Sequence, residues 1–408
     1  MPAASALVFN RLVNAPPAEA FRAFTHATAL RDWLCTAAQV EARPGGRLYL
    51  WWAEGTAVSG RFTKVEPGHR LAGAWESART PGPVTFQAAF KAKKSGTAVT
   101  VTLAGFGAGA KWRAARAQWT AVWEFGLENL ASVVETGIDL RLARRPRLGI
   151  FIGEFSPAIA QQLGVPVKAG VRLEGTAEAT GARAAGLQKD DVLIALNGKK
   201  LASPESFGAA LQGLRAGDRP KVVFYRGAQK QTVPLELSRF PIADLPATGA
   251  ELAAQVRRLH KQVDAALAQA VAGLTEAQAE RRPAAPEWSA KELIAHFILT
   301  ERDYQSWAAD MLNDAPVNDD LQFRPNVDIR VAALVARLGS VAALRKELTR
   351  AEAETAALLE ALPAAFVDGR KHLYRRLAQW ALEVTPGHWN DEHAEQMRRT
   401  VTAAQAAG

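Results

Sequence analysis

The stretch WRAARAQWTAVWEFGLENLASVV, residues 112–134, decides the fold of the first part of the chain. Its large apolar residues recur every three or four positions, which is the spacing of one face of an α-helix. These residues are Trp112, Trp119, Trp123, Leu127, Leu130 and Val134. A helix with an apolar face about six turns long must cover another layer of structure.

The segments before this helix alternate in hydrophobicity and predict a β-sheet as that layer. From Gly45 onward they are RLYLWWA, TAVSGRFTKVE, HRLAGAW, VTFQAAFKA and TAVTVTLAGF, separated by turn residues such as Pro67-Gly68 and Ser95-Gly96. A strand, ALVFNRLV, and a helix that begins at Pro16 and Pro17 precede them. Residues 1–143 therefore predict an α+β module with an antiparallel meander and one long helix.

Length, charge and cysteine content limit the classes of protein to consider. At 408 residues the chain is too long for one ordinary core, so we expect two or three domains. The net charge of +9 is spread as +8 over residues 1–146, +5 over 147–243 and −4 over 244–408, so we expect no nucleic-acid partner. Cys35 is the only cysteine, which excludes an intrachain disulfide. Without a long apolar run or a signal-like start, we expect a soluble, cytoplasmic protein with no membrane span.

The second module, residues 146–242, is built from short strands and two helices. Its pieces are LGI at 148–150, GARAAGL at 181–187, DDVLIALNGKKL at 190–201 and SPESFGAALQGL at 203–214. In the third module, residues 247–408, the strands stop and helical periodicity takes over. We predict a four-helix bundle there, with a capping box at Ser289 and Glu292, a third helix over 331–363, and a fourth over 371–404 interrupted at Pro386-Gly387.

The first module resembles the START-like SRPBCC superfamily, in the branch related to the activator of the heat-shock chaperone ATPase. The resemblance lies in APPAEAFRAFTHATALRDWL, RPGGRLYLWW, GRFTKVEPGHRLAGAW and GFGAGAKWRAARAQWTAVWEFGLENL. It implies a helix-grip fold and an apolar ligand held between helix and sheet. The candidate pocket residues are Trp33, Trp51, Phe62, Trp75, Phe86, Trp119 and Trp123. The alternative is that these aromatic residues form an ordinary core.

The second module resembles a bacterial PDZ domain over its whole length. The resemblance implies that a peptide adds as an extra strand at a sheet edge, with its carboxylate held by backbone N–H groups. It assigns the carboxylate loop to Leu148, Gly149 and Ile150, the accepting strand to Phe151 and Ile152, and the pocket wall to Phe207 and Leu211. The alternative is an interdomain joint filled by the chain itself. Lys189 stands where the family usually has glycine, and we expect this change to alter the turn more than the groove.

The third module resembles the DinB family in EWSAKELIAHFILTERDY and HWNDEHAEQM. The resemblance implies a divalent metal, zinc, nickel or iron, held by His296, His388 and His393. His388 and His393 are five residues apart, which separates them by about 140° on a regular helix. Only a distortion near Pro386-Gly387 would bring both into one site. Otherwise His296 and His393 converge alone, with Glu301, Asn390 or Glu392 as poor substitutes.

Three functions remain open. The first is a binding adaptor with a role in stress, which joins a ligand or chaperone-contact domain, a groove for protein C-terminal peptides and a bundle. The second is a metal-dependent enzyme of the DinB type, a thiol transferase or hydrolase. The third is a stress-related scaffold that binds no ligand. Architecture favours the adaptor because two of the three modules resemble binding domains.

Overall fold

The computed structural model describes residues 6–284, 287–313, 327–389 and 393–406, without the side chains of residues 384–388. The chain divides into two compact units. One unit contains Met1–Ile138 together with Ala243–Gly408, and the other contains Asp139–Ile242. The three-module division with boundaries at 143, 146, 242 and 247 stays a prediction, because the first and third modules lie in one compact unit.

The first segment is a seven-stranded antiparallel sheet with helices on one side of it. Its strand order is β1-β7-β6-β5-β4-β3-β2, so β1 and β2 are the edges. The elements are β1 (Leu7–Val13), α1 (Pro17–Thr25), α2 (Ala27–Trp33), β2 (Ala37–Val40), β3 (Arg47–Trp51), β4 (Ala57–Glu66), β5 (Arg70–Glu76), β6 (Val84–Lys93), β7 (Gly96–Ala104) and α3 (Ala110–Thr136). This arrangement confirms the predicted meander and long helix.

Alternation along the strands and periodicity along α3 build the core of this segment. On β7, Val99, Val101 and Leu103 are buried while their neighbours are partly exposed, as a half-buried strand requires. Helix α3 buries Trp119, Trp123, Leu127 and Leu130 in the same cluster. The helix ends at Gly137, whose φ of 72° is the left-handed cap conformation that glycine favours.

The second unit is a six-stranded sheet with short helices. Its elements are α4 (Leu140–Ala143), β8 (Ile150–Gly153), α5 (Pro157–Gln162), β9 (Val171–Thr176), α6 (Gly181–Ala184), β10 (Val192–Leu196), β11 (Lys199–Lys200), α7 (Ser206–Leu211), β12 (Lys221–Arg226) and β13 (Gln229–Pro234). The strand order is β13-β12-β10-β9-β8, with β11 paired to β10. Strand β8 therefore lies at an edge of the sheet.

The third segment is helical. Its elements are α8 (Gly249–Ala270), α9 (Glu276–Glu280), α10 (Ala290–Leu312), α11 (Val327–Leu338), α12 (Val341–Glu360), α13 (Ala364–Gly369), α14 (Lys371–His388) and α15 (Ala394–Ala406). The long helices α8, α10, α12 and α14 pack on one another as a four-helix bundle. Within the described residues, no helix combines the length and apolarity needed to cross a membrane.

In the bundle, one predicted helix boundary is confirmed and two others differ from the prediction. The predicted capping box is present, because Ser289 accepts from the backbone N–H of Glu292 and the Glu292 side chain accepts from that of Ser289. The single helix predicted over 331–363 is two helices, α11 and α12, because Gly339 has a φ of 74° and Ser340 caps the next helix. Helix α14 runs through the predicted break at Pro386-Gly387 and ends one residue later, at His388.

Candidate functional site

Five of the candidate pocket residues of the first segment form one aromatic cluster between α3 and the sheet. The Trp75 ring stacks on Phe86 at 4.8 Å and lies 5.6 Å from Trp119 and 6.3 Å from Trp123, between ring centroids. Phe62 meets Phe86 edge-on at 5.9 Å. All five side chains are buried.

The other two candidates, Trp33 and Trp51, lie differently. Trp33 is buried against Phe24 and Trp123, at 4.9 and 6.2 Å between centroids. Trp51 is half-buried at the end of β3. The next residue, Trp52, is not among the candidates, yet its ring lies 5.9 Å from that of Trp119. A pair of adjacent tryptophans at a strand end was the signal that could have included it.

The indole N–H groups of these tryptophans fall into two classes. Trp33 Nε1 donates to the carbonyl oxygen of Ala23 at 2.9 Å, and Trp52 Nε1 donates to that of Leu34 at 2.7 Å. By contrast, Nε1 of Trp75, Trp119 and Trp123 is buried with no hydrogen-bond partner among the described residues. A buried donor without a partner costs about 1–3 kcal/mol, so these three N–H groups lower the stability of the cluster unless an acceptor is bound.

In the second unit, the predicted carboxylate loop leads directly into the edge strand. Gly149 has a φ of 81°, and a Cβ atom at this position would lie 2.2 Å from Cβ of Thr180. Only glycine fits such a left-handed, crowded position without strain. The carbonyl oxygen of Leu148 accepts from the backbone N–H of Ala182 at 3.2 Å, and that of Gly149 accepts from Ala177 at 2.8 Å. Hydrogen bonds from the segment around α6 therefore fix the position of this loop.

The predicted strand residues lie on the edge strand β8, and the predicted pocket residues lie on α7, which contacts β10 and β11. Phe151 and Ile152 on β8 are 56% and 42% exposed, which is unusual for large apolar side chains. Ile150, Phe207 and Leu211 are half-buried and pack on the same core cluster as buried Leu148. Phe151 and Ile152 therefore expose apolar surface on a strand that, among the described strands, pairs with β9 alone.

The turn containing Lys189 is formed by the two aspartates that follow it. Asp190 has a φ of 69° and accepts from Nε of Arg172 at 2.8 Å. Asp191 is fully buried and accepts from Nε and Nη2 of Arg226, both at 2.8 Å, and from the backbone N–H of Gln188. The left-handed residue is thus Asp190, one position after Lys189.

In the third segment, two of the three candidate metal ligands come together. The rings of His296 on α10 and His393, just before α15, lie 5.1 Å apart between centroids. Trp288 lies 4.7 Å from His296, and Phe297 lies 5.5 Å from His393. His388 ends α14 with its side chain outside the described part of the chain, and Asn390 and Glu392 lie outside it entirely.

This histidine pair supplies part of the ligand set that a metal ion needs. Nδ1–H of His393 donates to Oε1 of Gln396 at 2.7 Å, which leaves Nε2 with the lone pair that a metal would take. Glu301, the carboxylate substitute, is buried and bonded to Thr355 Oγ1 at 2.6 Å and near His260 Nε2 at 3.4 Å. Among the described residues, no three His, Cys, Asp or Glu side chains converge in a way that could hold a metal ion.

A buried carboxylate that the sequence left without a role lies on α2. Asp32 is 5% exposed, and its Oδ1 lies 3.1 Å from Nε2 of His372 and 3.0 Å from Nη2 of Arg376, both on α14. Burial raises the pKa of Asp32, but His372, Arg376 and Arg22 together hold that pKa below its ordinary value. The basic run RKHLYRR at 370–376 was the signal that could have indicated this contact.

Comparison with known protein families assigns a match to each part of the chain. Residues 14–135 match the family described as activator of Hsp90 ATPase homolog 1-like protein. Residues 137–237 match the PDZ domain, and residues 259–397 match the DinB superfamily. None of the three matches extends over half of the chain.

Individual relatives cover only part of this protein. Two proteins named probable periplasmic serine endoprotease DegP-like match, one from Rhizobium meliloti (strain 1021) at 29% identity over 120 residues and one from Pseudomonas putida (strain GB-1) at 28% over 109 residues. These matches cover 29% and 26% of this chain, and the chain spans only 24% and 23% of those relatives.

Solved structures match about a third of the chain. An Hsp90 activator from Plasmodium falciparum is 21% identical, with a TM-score of 0.28, over 32% of this chain and 96% of that one. A protein from Chromobacterium violaceum is 23% identical, with a TM-score of 0.29, over 32% of this chain and 99% of that one. The chain thus carries, in order, a segment similar to activator of Hsp90 ATPase homolog 1-like proteins, a PDZ-like segment and a DinB-like segment.

Proposed function

We propose that this protein is a multidomain binding or adaptor protein whose central unit binds the C-terminal end of a peptide along β8. The observation that carries this proposal is the edge position of β8, directly after the left-handed Gly149 and with Phe151 and Ile152 exposed. A peptide strand would pair with the free backbone groups of β8 and place its side chains beside Ile150, Phe207 and Leu211. The backbone N–H groups after Gly149 would bind the carboxylate.

A peptide library with matched free and amidated C-termini tests this function. We expect the full-length protein to prefer free C-termini by at least about tenfold, because amidation removes the charge that the loop binds. Gly149→Ala should lower the affinity by a similar factor, since its Cβ atom would collide with Thr180. Fluorescence polarisation with labelled peptides measures both effects.

The control for that experiment is another left-handed glycine of the same unit. Gly186 has a φ of 76°, and a Cβ atom there would meet nothing within 4 Å, so Gly186→Ala adds backbone strain without a collision. It should leave peptide affinity unchanged. Equal binding of free and amidated peptides, or no binding at all, would refute the peptide function and favour a joint filled by the chain itself.

For the first segment, we propose a small ligand that is mainly apolar but carries a hydrogen-bond acceptor. The aromatic rings would supply apolar contact, and the unpartnered indole N–H groups of Trp75, Trp119 and Trp123 would supply the donors. Contact with a chaperone, which the description of the matched family suggests, is the other outcome for this segment. A stress-related role and a cytoplasmic location belong to the same proposal, and the names of the DegP-like relatives point instead to the periplasm.

A metal-dependent enzyme of the DinB type is the second candidate function. The observation that favours it is the convergence of His296 and His393, with Nδ1 of His393 already bonded to Gln396. A bound zinc, nickel or iron ion would activate a water molecule or a thiol there. His388 would have to complete the ligand set.

Elemental analysis of protein purified without a metal-affinity tag tests the enzyme. We expect a near-stoichiometric divalent metal in the wild type and at least about tenfold less in His296→Ala and in His393→Ala, because each variant removes one imidazole ligand. His69→Ala is the control, since His69 is exposed in the first segment. Metal-free wild type, or metal retained in both variants, would eliminate this function.

A further inference from the structure

We propose that the first turns of α14 are an intramolecular docking surface for the first segment, anchored on Asp32, so that α2, the last turns of α3 and the first half of α14 unfold locally as one cooperative group. Residues 139–242 are then an insertion into the compact unit that contains these three elements. The proposal is independent of the peptide and metal functions above. The proposal rests on the contacts that successive residues of α14 make with the first segment and with the bundle.

One side of α14 contacts the first segment through charged and backbone groups. Asp32 is almost fully buried between His372 and Arg376. Nδ1–H of His372 also donates to the carbonyl oxygen of Gly137 at 3.3 Å, and Nζ of Lys371 donates to that of Glu135 at 2.9 Å. These carbonyls belong to the C-terminal end of α3, where the helix dipole favours positive charge.

The same turns of α14 also pack on the bundle. Leu373, Leu377 and Ala378 are buried in the bundle core with Leu252 and Trp307. The hydroxyl of Tyr374 donates to the carbonyl oxygens of Pro246 and Thr248, at 2.7 and 3.1 Å, at the start of α8. A movement that pulls α14 away from Asp32 therefore also disturbs the packing of the bundle.

The two ends of the inserted unit meet at one side chain, Arg375. Its Nη2 donates to the carbonyl oxygen of Ala243 at 2.9 Å, where the chain returns from the second unit. Its Cδ lies within 2.6 Å of where a Cβ atom on Gly137 would be, one residue before the last residue of the first segment. An insertion whose ends are held close together leaves the parent unit continuous across the gap.

Burial of Asp32 makes it the contact on which the docking surface depends. Removing one partner of a buried ion pair is costly because the remaining charge loses its counter-charge without regaining water. Between Asp32 and α14 there is also a small crevice of about 40 Å³, lined by charged residues such as Arg22 and Lys371 and by apolar ones such as Trp33 and Val133. The interface thus combines ion pairs with apolar contact.

Hydrogen exchange of the full-length protein, read peptide by peptide, tests the proposal. We expect Asp32→Asn to raise exchange at least about tenfold in α2, in the last turns of α3 and in the first half of α14 together. Exchange in residues 139–242 should stay unchanged. Exchange that rises in α2 alone would overturn the proposal, because it would show that the bundle does not sense the contact.

Two further variants make the result decisive. Asp303→Asn removes a less deeply buried ion pair, Arg330 Nη2 to Asp303 Oδ1 at 2.7 Å, that lies within the bundle. It should raise exchange in α10 and α11 and leave α2 unchanged. If Asp32→Asn fails to fold, Lys371→Ala removes only the bond to Glu135, and it should give the same joint pattern with a smaller increase. A rise confined to either side of the interface in Lys371→Ala would also overturn the proposal.

Discussion

Replacement of Glu352 by Gln will flatten the dependence of the bundle's stability on pH between about 5 and 9. Glu352 lies on α12, is 3% exposed, and has one carboxyl oxygen, Oε1, without a hydrogen-bond partner among the described residues. Burial and the nearby carboxylates of Asp264 and Glu301 raise the pKa of Glu352 to about 9. At neutral pH this side chain is therefore a neutral acid.

The sign of the effect follows from which state binds the proton more tightly. In the unfolded chain the pKa of Glu352 is 4.5, so above that pH the unfolded state releases a proton that the folded state keeps until about pH 9. The free energy of unfolding therefore falls as pH rises through this window. With about 1.36 kcal/mol per pKa unit, the loss between pH 5 and pH 7 is about 3 kcal/mol. Gln keeps the shape of the neutral acid and has no proton to lose.

Urea unfolding followed by far-ultraviolet circular dichroism at pH 5, 7 and 9 measures this difference. Glu354→Gln is the matched control, because Glu354 lies on the same helix but is exposed and paired with Arg350 at 3.1 Å. The control should keep the wild-type slope. Parallel curves for wild type and Glu352→Gln would mean that folding does not raise the pKa of Glu352.

The sequence predicted those parts of the fold that are set by local periodicity. The apolar face of α3 and the alternation along β7 depend on residues a few positions apart, so the order of the amino acids alone shows them. The capping box at Ser289 and Glu292 is equally local. The break between α11 and α12 was visible as Gly339-Ser340 but was outweighed by the helical pattern on both sides.

Contacts between distant residues could not be predicted in the same way. Asp32 and Arg376 are separated by 344 positions, and nothing in either local sequence names the other. The basic run at 370–376 shows only that this part of α14 is positively charged, and it does not identify a partner. The pairing of His296 with His393 came only from family resemblance, and its geometry depends on how the chain crosses from α10 to α15.

Trp75→Ala is expected to lower the free energy of unfolding of the first segment by about 3–5 kcal/mol, the range for removing a buried aromatic ring. Trp75 is 2% exposed and contacts Phe86, Trp119 and Trp123, so its removal leaves a cavity that these rings cannot easily close. Trp75→Phe should cost much less, about 1 kcal/mol, because the indole N–H has no partner to lose. Urea unfolding of protein refolded without ligand measures both values.

Trp33→Phe is the comparison that isolates the hydrogen bond. Trp33 is buried as deeply, but its N–H donates to Ala23, so the Phe variant leaves that carbonyl unpaired and should cost about 1–3 kcal/mol more than Trp75→Phe.

Native mass spectrometry of gently purified protein tests whether the aromatic cluster binds a ligand. A small molecule that co-purifies with the wild type and is depleted in Trp75→Phe would show that the free N–H is a binding group. A consistently empty wild type would mean that the cluster is ordinary core. The unpaired indole N–H groups would then lower the stability of the fold without contributing to binding.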